Sequence, residues 1–430
     1  MNRLYYEALN EEIYWADLPS GLRVHVIPKP GFVKKYATLS VRCGSNDLTF
    51  VPPDSSEPVE LPEGIAHFLE HKMFEKAEGN TFEKYARLGA SPNAYTNYTQ
   101  TSYLFATTER FEECFELLLD SVQEPYFTDQ TVEKEKGIIE QEIRMYDDSA
   151  QWKVHSNLML ALFHRHPVRR DIAGTVESIR RITADMLYRC HRTFYRPDNM
   201  TIFVVGDVDP ASVIQQAAEN LERHAVAPAG PIQRLYPEEP PGVYRKEISH
   251  QLAVAMPLFS LGIKDPDQQA TGQELVTRTL ASNIILDLFL GRASELWARL
   301  YDNGLIDETF SLGYTGETDF CYASVSGETR QPERVRDEII EAMHNFRCQA
   351  LREEDFNRIR NKVVGSFMFG LNSLDWIANL SAASYFRGVS FFDQFELARE
   401  LSLDQVSDRL AVLLNPQNCA LSVVYPRESH

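Results

Sequence analysis

Apolar and polar positions along the chain alternate in short runs that lie between longer stretches with helical spacing. Leu22–Ile27 and Ala37–Val41 alternate as half-buried strands do. From Phe111 to Val122 the apolar residues recur at the spacing of an amphipathic helix. A second helix is predicted around Glu133–Tyr146, with Val132, Ile138, Ile139, Ile143 and Tyr146 as its apolar positions and Thr128 and Asp129 as cap candidates. Gly137 inside that helix costs about 1 kcal/mol relative to Ala, and close approach of a neighbouring helix would explain it. Strands gathered in two groups and separated by long helices predict an α+β fold, with helices packed on one face of a mainly antiparallel sheet.

The pattern occurs twice. Arg196–Val205 recurs as Asn415–Val424 at an offset of 219, and Thr183 and Asp185 fall on Ser402 and Asp404 at the same offset. Ser102–Phe105 before a long helix resembles Cys321–Ser324 before another, and Val132–Ile139 has a counterpart in Phe356–Val363. Pro228, Pro231, Pro237, Pro240 and Pro241 mark a linker between the halves. The expected organisation is therefore a domain over residues 1–225, a Pro-rich linker over 226–243 and a related domain over 244–430.

The stretch Gly64–Glu75 carries the chemistry. His67 and His71 are four residues apart, one helical turn along one face, which suits two ligands of a single metal ion. Glu70 shares that face and can reach a water at the metal without binding the metal itself. The order His67-x-x-Glu70-His71 is the reverse of the H-E-x-x-H motif of zinc proteases, the inverzincin arrangement. Pro62 and Glu63 suit a helix start, and Ile65, Phe68, Leu69 and Met73 form an apolar stripe behind the polar triad. Zinc hydrolases take three protein ligands and leave the fourth position for water, so a third ligand is expected on another segment. Glu135 and Glu142 are candidates: seven residues apart, they share a helix stripe with Ile139, where an unpaired charge would be costly. Glu140 points away from that stripe, toward solvent. The second half has no such motif, since Ile359 and Ser366 stand opposite Glu135 and Glu142. One metal site per chain is expected.

Composition narrows the partners. A hydrophobic content of 43% over 430 residues can fill two cores, and 43 basic against 62 acidic residues give a net charge of −19. That balance argues against nucleic acid or an anionic membrane and favours basic or neutral peptides. The six cysteines are scattered without a C-x-x-C pair, which reads as buried free thiols of a reducing compartment. Residues 1–7 do not begin a signal peptide and no run approaches the ~20 apolar residues of a membrane span, so the cytoplasm is expected.

The pairing of His67-x-x-Glu70-His71 with Glu135 and Glu142 some seventy residues later resembles the pitrilysin/insulysin family of zinc peptidases, which includes mitochondrial processing peptidase. The resemblance runs over essentially the whole chain and implies the duplicated fold of that peptidase. It implies Zn2+ on His67, His71 and Glu142, with Glu70 as general base and Glu135 supporting the site. It further implies that Asn93 and Ala94, within Gly89–Thr96, meet the peptide backbone at a strand edge. Family members usually carry an Arg and a Tyr seven residues apart in the C-terminal half, helping to hold substrate. Leu300 and Asp307 stand at those positions here, and Arg299 is one place off. A related zinc-less chain carrying the pair is therefore the expected partner, in a heterodimer that encloses the peptide. A homodimer is the alternative assembly, and a non-catalytic scaffold subunit of the same fold the alternative function.

Overall fold

The computed structural model describes residues 1–224 and 229–427. Residue 225 and the start of the Pro-rich segment, including Pro228, lie outside the described residues. Two compact units emerge. One gathers Met1–Ile143, Asp171–Tyr236 and Met368–Phe386, and the other Arg144–Arg170, Pro237–Phe367 and Arg387–His430.

The first unit is built on a seven-stranded sheet of β1 (Asn2–Tyr6), β2 (Glu11–Asp17), β3 (Arg23–Pro28), β4 (Lys35–Val41), β5 (Ser91–Thr96), β6 (Thr101–Thr107) and β7 (Met200–Gly206), in the order β1-β2-β3-β7-β4-β6-β5. Only β3 and β7 run parallel; the other pairs are antiparallel. β5 is a sheet edge, paired with β6 alone (Thr96↔Thr101, Asn93↔Leu104). The second unit has β8 (Glu247–Leu252), β9 (Leu258–Lys264), β10 (Ser311–Gly316), β11 (Cys321–Glu328) and β12 (Cys419–Pro426), in the order β8-β12-β9-β11-β10. It too has one parallel pair, β8 with β12, and antiparallel neighbours elsewhere. The β8-β12-β9-β11-β10 order repeats β3-β7-β4-β6-β5 strand for strand, so the sequence repeat is a repeat of topology.

Helices do not stay with the sheet of their own half. A helix over Ala150–Leu162 packs in the second unit against β9 and β12. Gly262 of β9 permits this, because a Cβ there would lie 2.8–2.9 Å from the Leu158 and Leu162 side chains. Reciprocally, a helix over Leu374–Phe386 packs in the first unit against β4 and β7. The described part of the expected linker is also fixed: the Glu239 carboxylate accepts the backbone N–H groups of His164, Arg165 and His166 at 2.7–2.8 Å and pairs with Lys264.

Two helices of the first unit position the candidate site. α1 (Ile65–Met73) begins after Gly64, which is left-handed at φ 86. The start is therefore later than Pro62 and Glu63 suggested, and no acidic residue lies in the first turn. Ser178 Oγ donates to Glu63 O at 2.8 Å and a Cβ on Gly64 would lie 2.4 Å from Ala173 O, so the 171–178 loop seats tightly on the helix entrance. Ile65, Phe68, Leu69 and Met73 are all buried, each contributing roughly 1.5–3 kcal/mol. α2 (Asp129–Asp148) starts where expected: Thr128 O accepts Val132 N–H at 2.9 Å. Val132, Ile139 and Ile143 are buried, whereas Ile138 is exposed. Gly137 does not admit a neighbouring helix; a Cβ there would meet nothing within 4 Å.

Candidate metal centre

A helical turn brings His67 and His71 to one side of α1, with ring centroids 4.6 Å apart. Glu142 reaches both from α2, with Oε1 3.6 Å from His67 Nε2 and Oε2 3.4 Å from His71 Nε2. Good hydrogen bonds are shorter, about 2.7–3.2 Å. Donor atoms around a tetrahedral ion at about 2.0–2.2 Å would sit some 3.3–3.6 Å from one another. Ligand atoms of His67, His71 and Glu142 all lie within 4.8 Å of one another. Two imidazole nitrogens and a carboxylate oxygen with this spacing fit a zinc ion.

Around this trio lie the other expected residues. Glu135, two turns before Glu142, meets His71 Nδ1 at 3.1 Å through Oε1, turning the opposite ring nitrogen toward Glu142. Burial opposes protonation of His71, but the Glu135 hydrogen bond and the Glu142 and Glu70 charges outweigh it and raise its pKa. His67 Nδ1 is buried and has no hydrogen-bond partner among the described residues. Glu70 is buried, and its Oε2 accepts Thr96 Oγ1 at 2.7 Å. The resemblance places Thr96 only within the Gly89–Thr96 strand edge, and nothing in the spacing of residues 70 and 96 signals the bond. Glu140, expected toward solvent, is partly exposed and accepts from the exposed Arg180 at 3.1 Å. Asn93 and Ala94 lie on edge strand β5, where the Ala94 N–H donates to Asn93 Oδ1 at 2.9 Å.

In the second half, Leu300 is completely buried in the core of its unit, and Asp307 Oδ1 accepts the Thr309 N–H and hydroxyl. Arg299 lies 3.7 Å from Glu338. All six cysteines are free, and five are buried as expected; Cys348 is exposed. Among the described residues no helix is long and apolar enough to cross a membrane.

Residues 55–176 match the insulinase family, peptidase family M16, and residues 181–363 match the peptidase M16 inactive domain. The uncharacterized zinc protease YmfH of Bacillus subtilis (strain 168) is 40% identical over 422 residues, covering 98% of each chain. The crystal structure of an M16-like peptidase from Alicyclobacillus acidocaldarius matches with a TM-score of 0.94 at 35% identity, over 99% of this chain and 100% of that one. More distantly, a protein named as a mitochondrial-processing peptidase subunit beta, from Arabidopsis thaliana, is 27% identical over 204 residues, 46% of this chain and 36% of its own length. With the likeness to YmfH running end to end, the chain belongs to the insulinase family of peptidases, peptidase family M16.

Proposed function

We propose that this chain is a zinc-dependent endopeptidase, acting as the catalytic subunit of a two-chain enzyme. The observation that carries the reading is the meeting of His67 Nε2, His71 Nε2 and the Glu142 carboxylate, with Glu70 one position before His71. Zinc held by these three residues would supply Lewis acidity, making water a nucleophile near neutral pH and polarising the scissile carbonyl. Glu70 takes the proton of the attacking water and returns it to the leaving amine. Glu135 keeps the His71 ring turned toward Glu142. The substrate backbone adds to the free edge of β5 beside Asn93 and Ala94, which demands little of its side chains.

Leu300 and Asp307 support the need for a second chain, because neither can hold substrate as an Arg–Tyr pair would. The Arabidopsis relative's designation as a subunit points the same way. A related zinc-less chain would bring the pair, enclosing the peptide between two shells; a second copy of this chain is the alternative. The match to an inactive domain covers residues 181–363 and starts beyond His67, Glu70, His71, Glu135 and Glu142, so it leaves the catalytic reading of those residues intact. The free thiols favour a reducing compartment, and we place the enzyme in the cytoplasm.

The test is a peptide-library digest with the purified chain alone, with a candidate zinc-less companion, and with that companion's Arg and Tyr replaced. Cleavage should be poor, then strong, then poor again, since contacts remote from the metal position the peptide. An isolated chain, shown by ultracentrifugation to be monomeric and as active as the mixture, would overturn the two-chain reading.

A further inference from the structure

We infer that Thr96 is a positioning residue for Glu70, tying the proton-accepting carboxylate to the strand edge on which substrate adds. The inference rests on Glu70 serving as the base.

Thr96 closes β5. Its neighbour Asn97 donates to Gln100 O at 2.9 Å, and Thr96 itself pairs with Thr101 of β6, so its backbone is held from two sides. Thr96 Oγ1 lies 2.7 Å from Glu70 Oε2 and 3.3 Å from Thr101 Oγ1. Thr101, fully buried, donates to Cys43 O at 2.9 Å. A hydroxyl has one hydrogen to give. With the Thr101 hydrogen committed to a carbonyl, the Thr96 hydrogen chooses between a neutral hydroxyl at 3.3 Å and a carboxylate at 2.7 Å. The charge-assisted bond is shorter and roughly twice as strong, so the hydrogen points at Glu70.

This fixes one carboxylate oxygen and leaves the other, Oε1, without a further hydrogen bond among the described residues. Oε1 is then the atom that takes the proton from water and passes it to the amine. A peptide adding to β5 stiffens the strand whose last side chain holds the base in place. Substrate binding and base orientation are coupled through a single hydroxyl, and sequence spacing gives no sign of it.

The experiment compares wild type, Thr96→Val and Thr96→Ser, each loaded with zinc and assayed with the companion chain. Thr96→Val keeps the shape and removes the donor. It should retain zinc at wild-type stoichiometry and hold KM within about twofold while kcat falls about 10–100-fold; Thr96→Ser should recover most of that loss. Crystals of Thr96→Val should show the Glu70 carboxylate turned from its wild-type orientation, with His67, His71 and Glu142 unmoved. Wild-type turnover in Thr96→Val, a loss carried by KM alone, a loss that serine fails to recover, or an unmoved Glu70 would each overturn the inference. Wild-type turnover in Glu70→Gln would instead remove the base assignment, while the Thr96→Val crystals would still decide whether the hydroxyl holds Glu70.

Discussion

At the scale of residues, Glu142 turns one oxygen toward each imidazole, which a surface acid on an amphipathic helix has no reason to do. Replacing His67, His71 or Glu142 with Ala should strip most bound zinc, because two donors hold the ion far less firmly than three. Metal content after dialysis measures this. Glu135 differs, since it touches His71 rather than the proposed ion. Glu135→Gln should weaken zinc retention about 10–100-fold in a chelator titration without unfolding the chain. Loss of all metal under mild conditions would make Glu135 a ligand and reopen the assignment of Glu142. Helical periodicity made these five side chains candidates by putting residues 67, 70 and 71 on one face and 135 and 142 on another, whereas the division of roles between Glu135 and Glu142 came from the family resemblance. Thr96 was not, because its contact with Glu70 exists only after a strand edge has packed beside a helix.

At the scale of elements, two glycines make opposite predictions. Gly64 has φ 86 and no room for a Cβ beside Ala173 O. Gly64→Ala should destabilise the chain by at least ~1–2 kcal/mol and loosen zinc binding, since it disturbs the entrance to the helix bearing both histidines. Gly137 sits in a regular helix with open space where a Cβ would go. Gly137→Ala should stabilise by about 0.5–1 kcal/mol. Urea midpoints of the two variants should move in opposite directions. The apolar pattern gave the helices themselves, because burial of one face dominates their stability. It misplaced the start of α1, where a backbone turn set by Gly64 and the 171–178 loop overrides the local preferences of Pro62 and Glu63. It also misread Gly137, whose cost has no packing to justify it among the described residues.

At the scale of the whole molecule, two buried histidines that the proposed chemistry does not use make stability depend on acid pH. Burial lowers the pKa of His25 to about 3 and that of His191 to about 4, from an ordinary 6.5. His25 stacks on Phe203, and His191 Nε2 lies 3.0 Å from Val122 O. In the unfolded chain both rings take up protons as pH falls below 6.5, while in the folded chain they resist. Stability is therefore full above 6.5 and declines as pH falls toward 4 and 3, at about 1.4 kcal/mol per pH unit for each ring. Urea midpoints should drop across that window, and His191→Gln should flatten the decline. The offset of 219 residues made the duplication legible, and the two sheets repeat the same strand order. The exchange of helices 150–162 and 374–386 was not legible, because an amphipathic helix records that it has a buried face but not which sheet covers it.

Zinc content and turnover measured side by side on wild type and Glu70→Gln, each with the companion chain, test the proposed function most directly. The amide cannot accept a proton, yet it leaves His67, His71 and Glu142 in place. Both proteins should carry one zinc per chain, and only the wild type should cleave peptides. A wild type that binds no zinc, or a Glu70→Gln variant that cleaves as fast as wild type, would contradict it.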